Sequence, residues 1–541
     1  MALTHEQDEY LGMGVDIFRF DPWQPSFKAR MLDDPVREQS PIGRGRIHEI
    51  SEDNLLEVGR QIGVEAGLKG GYAGVTASVK TKFKQSEERS EKTHFLKISF
   101  THSGMVLYVE GSGEQIRAQL TEEFKNALNN GDPDKLIRDY GTHLVTRIIV
   151  GGRAEYYARS SATSRMTKEE FEVAARAKYD SLGGVTGEDG DAATGSIQAS
   201  TRVGTTNTTK TRDVVSSESI DTIGGTAVSA MGIKSKKDWD TWATSIETRP
   251  GFLGFDGDGA LMPIWELTTD PARQTKIHEA YKRKAAKEFA PEIINVTSDV
   301  RNHPDTRIVV PEGYKLLSGG ALDNYKEPEP GNLLTASYPE SDNTWRGSGK
   351  DHIAADPASV SAFALAVYDP DDIWEARIFQ SRPSPEAAHP EQEVAVESGY
   401  VMVGGGAWVD WTGEGNILFA SHPTEDKTAW RVKSKDHVKS SPARITAYAV
   451  GLKSKVEGVK LQSAIATAKS NKSSRPQAAA APPSGYRMVG GGAALTFDNT
   501  GILLTASYPN ENNQWVGCGK DHLVGDNGTV TAYCIGLKVD A

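Results

Sequence analysis

Three copies of one short motif are the residues in this chain best suited to chemistry. Lys350-Asp351-His352, Lys435-Asp436-His437 and Lys520-Asp521-His522 each set a cation, a carboxylate and an imidazole side by side. Each follows a tryptophan (Trp345, Trp430, Trp515) at the same interval. An aromatic face beside a charged, hydrogen-bonding edge suits a sugar ring or a lipid headgroup, so these Trp, Asp and His positions are candidate receptor-binding residues. The competing reading is structural: a core tryptophan, an aspartate closing a turn and a histidine packed behind it. Internal duplication would keep either kind of residue, and both readings stay open. One His and one Asp per copy is a weak metal signal, and no metal is expected.

Another histidine, His143, has no nucleophile or metal-spaced partner near it, so a buried, hydrogen-bonded structural role is expected. The chain also lacks a nucleotide loop, a nucleophile elbow, a zinc motif and a supported carboxylate pair. Neither enzymatic activity nor a cofactor is expected.

The elements that would position these residues follow from length and repetition. A chain of 541 residues exceeds one ordinary core, and 54 glycines favour strands, turns and close backbone packing. A formal net charge of −12 argues against nucleic-acid binding and against docking on anionic lipid by charge alone. No apolar run is long enough for a transmembrane helix, and the chain does not open on a basic segment followed by an apolar one. The expectation is a soluble protein made without a recognisable signal peptide. Cys518 and Cys534 do not make a disulfide framework; they could pair across neighbouring strands, but two buried thiols is the preferred reading.

Residues 291–541 repeat themselves three times. Gly313-Tyr314, Gly399-Tyr400 and Gly485-Tyr486 open the copies; Ser318-Gly319-Gly320-Ala321, Gly404-Gly405-Gly406-Ala407 and Gly490-Gly491-Gly492-Ala493 follow. Each copy closes on an alternating strand pattern such as Val530–Leu537. Three β-rich copies of this length predict one closed, pseudo-threefold all-β domain, a triangular β-prism rather than a trefoil. Residues 383–390 and 469–484 both read as flexible connections. Residues 1–290 carry no repeat and read as α+β, with strands at 93–100, 105–110 and 144–150 and helices at 121–128 and 275–289.

Within that half, Tyr140-Gly141-Thr142-His143 leads into a strand pattern that meets Gly151-Gly152. This closely resembles the signature of the membrane-attack-complex/perforin (MACPF) family: an aromatic residue, Gly, Thr or Ser, His, a strand, then two glycines. Gly12-Met13-Gly14-Val15-Asp16 resembles the family's glycine-rich opening. Ile223-Gly224-Gly225-Thr226, followed by Trp239, Trp242 and Pro250, resembles the segment after its second refolding region. Leu144 stands where many members carry an aromatic, and the usual cysteine pairs are absent. The resemblance implies a bent central antiparallel sheet flanked by helical clusters, and two segments able to become transmembrane β-hairpins.

Those segments can be tested by alternation, since a membrane-spanning strand needs about ten residues with one lipid-facing parity. Folding 58–83 about Gly70-Gly71 puts Ile62, Val64, Ala66 and Leu68 on one side with Ala73, Val75, Ala77 and Val79. In the second segment the uncharged parity holds Val173, Ala175, Ala177 and Tyr179, then Ile197, Ala199, Thr201 and Val203. The same stretch has a capping box, Thr167-x-x-Glu170, and apolar residues at helical spacing. It can therefore be helical in solution and extended in a pore.

A MACPF domain before a threefold prism resembles the insecticidal MACPF proteins of Gram-negative bacteria. The resemblance implies a pore-forming toxin acting extracellularly. Its C-terminal domain would bind a target cell membrane, its copies would assemble into a ring-shaped homo-oligomer, and its hairpins would close a large β-barrel. The alternative is a non-lytic recognition or adhesion module that binds glycan or lipid.

Overall fold

The computed structural model describes residues 8–33, 35, 37–42, 46–70, 72–83, 93–160, 167–181, 215–226, 236–325, 331–499 and 501–541. The chain divides into two compact units, one ending at Ala285 and the other running from Ala286 to Ala541.

The first unit is built on long strands. In chain order it contains β1 (Gly14–Val15), β2 (Arg37–Ile42), β3 (Arg46–Glu52), α1 (Leu55–Glu65), α2 (Ala73–Lys82) and β4 (Phe95–Val109). There follow α3 (Gly113–Ala118), α4 (Glu122–Asn130), α5 (Pro133–Tyr140), β5 (His143–Val145), β6 (Arg147–Ser160), α6 (Lys168–Ser181) and β7 (Val215–Ile223). The last elements are α7 (Lys236–Ser245), β8 (Gly251–Phe255), β9 (Leu261–Pro263) and α8 (Pro271–Lys287). The main sheet runs β2-β4-β6-β7, with β3 also on β4 and β8 also on β6; β1, β5 and β9 form a small second sheet. All these pairings are antiparallel.

Two strand expectations need correction. Residues 93–100 and 105–110 are one strand, β4, because the polar Thr101–Ser103 stretch is a register shift rather than a turn. The 144–150 strand does not end at its glycines: β6 passes through Gly151-Gly152 and continues to Ser160. It is also separated from β5 at Thr146, whose hydroxyl donates to the Gly259 carbonyl at 2.6 Å.

Sheet parity explains where the helices lie. On β4 and β6, Leu96, Ile98, Tyr156 and Ala158 share one face and pack against Phe171, Ala175 and Tyr179 of α6. Phe95, Lys97, Glu155 and Tyr157 have the opposite parity and meet α1 or the end of α2. The central sheet is thus covered on both faces.

In the second unit each repeat supplies six strands among the described residues. The first gives β10 (Glu292–Thr297), β11 (Asp305–Val309), β12 (Tyr314–Asp323), β13 (Leu333–Ser341), β14 (Thr344–Lys350) and β15 (Val360–Tyr368). The second gives β16 (Trp374–Gln380), β17 (Glu391–Ala395), β18 (Val401–Asp410), β19 (Ile417–Pro423), β20 (Ala429–Lys435) and β21 (Arg444–Ser454). The third gives β22 (Lys460–Lys469), β23 (Gln477–Ala480), β24 (Arg487–Phe497), β25 (Leu503–Asn510), β26 (Gln514–Lys520) and β27 (Gly528–Asp540). They form three six-stranded sheets: β10-β15-β12-β25-β26-β23, β11-β14-β13-β18-β21-β16 and β17-β20-β19-β24-β27-β22. Every sheet takes three strands from one repeat and three from another. No repeat can bury its apolar residues alone, so the three copies form one cooperative body.

The glycine motifs are where the exchanged strands meet. A side chain at Gly405 would strike the Trp430 ring at 2.4 Å, and one at Gly406 the Ser337 carbonyl of the preceding repeat at 2.2 Å. Gly319-Gly320 and Gly491-Gly492 repeat both contacts. The 469–484 connection is not flexible: Gln477–Ala480 is an edge strand paired with β26, its small side chains Ala478 and Ala480 buried. Cys518 and Cys534 are free thiols; burial pushes the Cys534 thiol up to about 12.

Candidate functional site

The signature motif closes the small sheet onto the N-terminal glycines. Asp132 caps α5 by accepting from the Lys135 amide, and the helix stops at Gly141 with φ of 83°. A Cβ on Gly141 would meet the Val15 carbonyl oxygen at 2.5 Å, and one on Gly14 the Tyr140 carbonyl oxygen at 1.7 Å. Thr142 donates its hydroxyl to Val15 O (3.1 Å) and accepts from the Ile17 amide (3.2 Å). His143 is buried with Nδ1 3.0 Å from the Thr142 hydroxyl. Burial, and then the charge of Lys69, drive its pKa down to about 3, so it is a neutral structural imidazole.

Gly151 and Gly152 lie where β6 changes neighbours. On one edge it pairs with β8 as far as Gly151 and with β7 from Arg153 onward. A side chain on Gly224 would strike the Gly151 carbonyl at 2.2 Å; one on Gly152 would strike Ile246, and one on Gly225 would strike Trp242. Trp242 also donates from Nε1 to the Gly224 carbonyl at 2.9 Å. The two glycine pairs therefore form one crossing point, where the sheet turns and α7 presses against it.

Both candidate hairpin segments are helical where the structure describes them. α1 and α2 connect β3 to β4, which pair with each other; α6 lies on the connection from β6 to β7, which also pair. The Asn54 side chain caps α1, and Thr167 with Glu170 forms the expected reciprocal box at α6. Ile62, Ala66, Leu68, Val75 and Val79 are buried, whereas Val64 is 51% exposed and Ala77 is exposed. Gly70 is buried, and Gly63 packs on its carbonyl. Ala73 opens α2, and Gly71 lies outside the described residues. In the second segment Ala175 and Tyr179 are buried, Val173 is 42% exposed and Ala177 is exposed. Ile197, Ala199, Thr201 and Val203 lie outside the described residues. A helix repeats every 3.6 residues and a strand every two, so one lipid-facing strand parity is divided here between core and solvent.

The sequence reading missed what holds these helices. Under α1, Lys97 of β4 pairs with Glu65 and, at 3.2 Å, with Glu155 of β6; Arg153 lies 3.4 Å from Glu65. Glu155 also accepts from Trp23 Nε1 (2.7 Å) and the Tyr157 hydroxyl (2.6 Å). Burial alone would raise the Glu65 carboxyl, but Lys97 and Arg153 overcome it and hold the group at about 2. Glu155 is held down against its burial by the same two cations. Lys82 of α2 reaches Asp221 of β7 at 2.6 Å. Over α6, Arg176 pairs with Glu49, and Lys178 with Glu218 at 3.1 Å.

The repeat candidates come out as interior residues. Trp345, Trp430 and Trp515 are fully buried, each donating Nε1 to a serine: Ser337, Ser421 and Ser507 at 3.0–3.1 Å. The exposed aromatic platform is therefore corrected, because the ring sits on the glycine motif instead. Asp351 and Asp436 reach His303 and His389, each at 3.3 Å, and Asp521 is partly buried. His352, His437 and His522 are buried and meet one another, with ring centroids 5.2–5.9 Å apart. His437 Nε2 lies 2.6 Å from the His522 carbonyl, and His522 Nε2 lies 2.9 Å from that of His352. The three repeats thus meet on an axis through these rings.

No curated protein matches the sequence. Among solved structures, GNIP1Aa from Chromobacterium piscinae is 14% identical, covering 72% of this chain and 77% of its own, with a TM-score of 0.40. A Bacteroides thetaiotaomicron protein with a MAC/Perforin domain is 17% identical over 50% of this chain and 60% of its own, TM-score 0.35. Astrotactin-2, a vertebrate-specific perforin-like membrane protein involved in neuronal development, is 9% identical over 67% and 68%, TM-score 0.30. The family model of the MAC/Perforin domain matches residues 47–285. That match begins in β3 and ends in α8, taking in both helical segments and the glycine crossing between them; over this span the chain is similar to the MAC/Perforin domain.

Proposed function

We propose that this protein is a pore-forming toxin, insecticidal in its target. Its second unit, read as a β-prism, binds the target cell membrane, copies assemble into a ring, and 53–94 and 161–214 extend into transmembrane hairpins of a shared β-barrel. Among the described residues no helix is long and apolar enough to cross a membrane, so crossing falls to strands. The observation that carries this reading is topological. Each helical segment connects two strands already paired antiparallel, so unwinding it would lengthen an existing hairpin rather than create a new one.

Register supports the parity. The β6–β7 pairing from Arg153↔Ile223 to Arg159↔Ser217, continued outward, would join Val173 to Val203, Ala175 to Thr201, Ala177 to Ala199 and Tyr179 to Ile197. The shift at Ser160 must be lost for this to happen. The β3–β4 register, continued, would join Val64 to Phe83 and Leu68 to Val79. It would move the turn from Gly70-Gly71 to Ala73-Gly74 and keep the same apolar face.

Val64 and Val173 make the cleanest test, because both are exposed in this structure and lipid-facing in the proposed barrel. Lys at either position should leave the soluble fold intact but cost about 2–4 kcal/mol per subunit at mid-bilayer. Dye release from vesicles of insect midgut brush-border membrane should be lost in Val64→Lys and Val173→Lys while binding persists. Full release by both variants would overturn the hairpin assignment. Binding without release by the unmodified protein would favour the recognition module.

A further inference from the structure

Each Lys-Asp-His triplet is followed by a turn that proteins seldom use. The Ala354 amide donates to the His352 carbonyl, Lys439 to His437 and Val524 to His522, all at 2.7 Å. These are three-residue turns, and their central residues Ile353, Val438 and Leu523 have φ of 63°, 63° and 61°. The positive-φ γ-turn is the strained member of its class, easy for glycine and poor for aliphatic and β-branched residues. All three copies nonetheless place an aliphatic side chain there, and these are 40%, 56% and 49% exposed.

The fold also gathers the turns. The histidines preceding them touch one another around the axis where the repeats meet, so the three aliphatic tips surround that axis at one end of the unit. Val524, beside Leu523, is a further 41% exposed apolar residue. The tips read Ile353-Ala354-Ala355, Val438-Lys439-Ser440 and Leu523-Val524-Gly525, in which Lys439 is the one charge. Its ammonium lies 2.8 Å from Glu414, and the acids next along the chain, Asp356 and Asp526, are buried.

We infer that this axial cap is the surface by which the second unit rests on a lipid bilayer, with Ile353, Val438 and Leu523 dipping together into its acyl boundary. Three features favour lipid over a protein partner. The tips differ in shape and share only apolar character, which satisfies a fluid hydrocarbon but not a close-packed pocket. Their arrangement about an axis lets all three meet one flat surface at once. The carboxylate that stands among them, Glu414, is paired with Lys439 at 2.8 Å, so the cap sets a neutral ion pair rather than a lone negative charge against the phosphate layer. Backbone strain at three equivalent positions, where glycine would relieve it, fits a functional surface better than chance exposure. The inference rests on the membrane-binding part of the proposed function and names its contact residues.

The test is flotation of the full-length protein with phosphatidylcholine vesicles, with and without phosphatidylserine. The triple variant Ile353→Gly/Val438→Gly/Leu523→Gly removes the tips and relieves the backbone, so its melting temperature should hold or rise. Its vesicle partitioning should fall by roughly a hundredfold on both compositions. Undiminished binding by the variant would overturn the inference. So would failure of the unmodified protein to float with either vesicle, which would assign docking to a protein or glycan receptor. Lysis of target cells in that case would leave the pore reading standing; cap-dependent binding without any dye release would do the reverse.

Discussion

The two faces of the central sheet carry helices with the same proposed fate but hold them differently. α6 lies on an apolar face, with Phe171, Ala175 and Tyr179 set into Leu96, Ile98, Tyr156 and Ala158. α1 ends over Lys97, Arg153 and Glu155, where opposite charges are buried together. Apolar burial weakens gradually as contacts open and needs no particular geometry. A buried ion cluster depends on every partner, because losing one leaves the others uncompensated. The comparison suggests two releases of different character: α6 yields to any apolar competitor, whereas α1–α2 is a latch that stays shut until a charge is moved or neutralised.

Two substitutions of similar size would break the comparison at its strongest points. Lys97→Met removes the buried cation that pairs with both Glu65 and Glu155 and should cost about 3–5 kcal/mol. Phe171→Ala empties a fully buried site and should also cost about 3–5 kcal/mol. Amide exchange should separate them: Lys97→Met should loosen 55–82 and spare 168–181, and Phe171→Ala the opposite. Both should shorten the lag before dye release. A uniform loss of protection across the unit in either variant would mean that the helices are not independently released.

Much of this arrangement could be read from residues beforehand, and the parts that could not share a cause. The signature's aromatic, glycine, threonine and histidine are visible because one sharp contact, Gly141 against Val15, constrains their types. The alternation at 62–79 is visible because period two leaves a trace even where the chain is helical here. Lys97, by contrast, has no neighbour in sequence that marks it as a buried cation. Nothing local says that α1 covers that face, and its partners stand 32 and 58 residues away in sequence, beyond any motif. The repeat tryptophans could be read either as surface candidates or as core for a similar reason, and the structure makes them core. What encloses Trp430 is Gly405, with the neighbouring strand beyond it, and glycine pairs signal closeness without saying to what.

Acid should sharpen the contrast. The Glu65 carboxyl is held at about 2 against an ordinary value of 4.5. A group with a lowered folded pKa contributes its full stabilisation above the unfolded value and loses it as pH falls through the folded one. Protection of 55–82 should therefore decline between pH 4.5 and about 2. Lys97→Met should flatten this dependence, since the cation that lowers the pKa is gone. An acid response of 55–82 that is the same in Lys97→Met as in the unmodified protein would place the sensitivity elsewhere.

The smallest effect belongs to the rim of the apolar face. Arg176 pairs with Glu49 and lies 3.2 Å from Glu172, but its side chain remains one-third exposed. Solvent and salt screen such a pair, and Arg176→Gln should cost only about 0.5–1 kcal/mol. The change should shrink further in high salt, whereas the effect of Phe171→Ala should not. If Arg176→Gln instead freed α6 as thoroughly as Phe171→Ala does, this face too would be a charge latch. The distinction between the two faces would then be one of degree, set by how deeply the ion pairs are buried rather than by whether they exist.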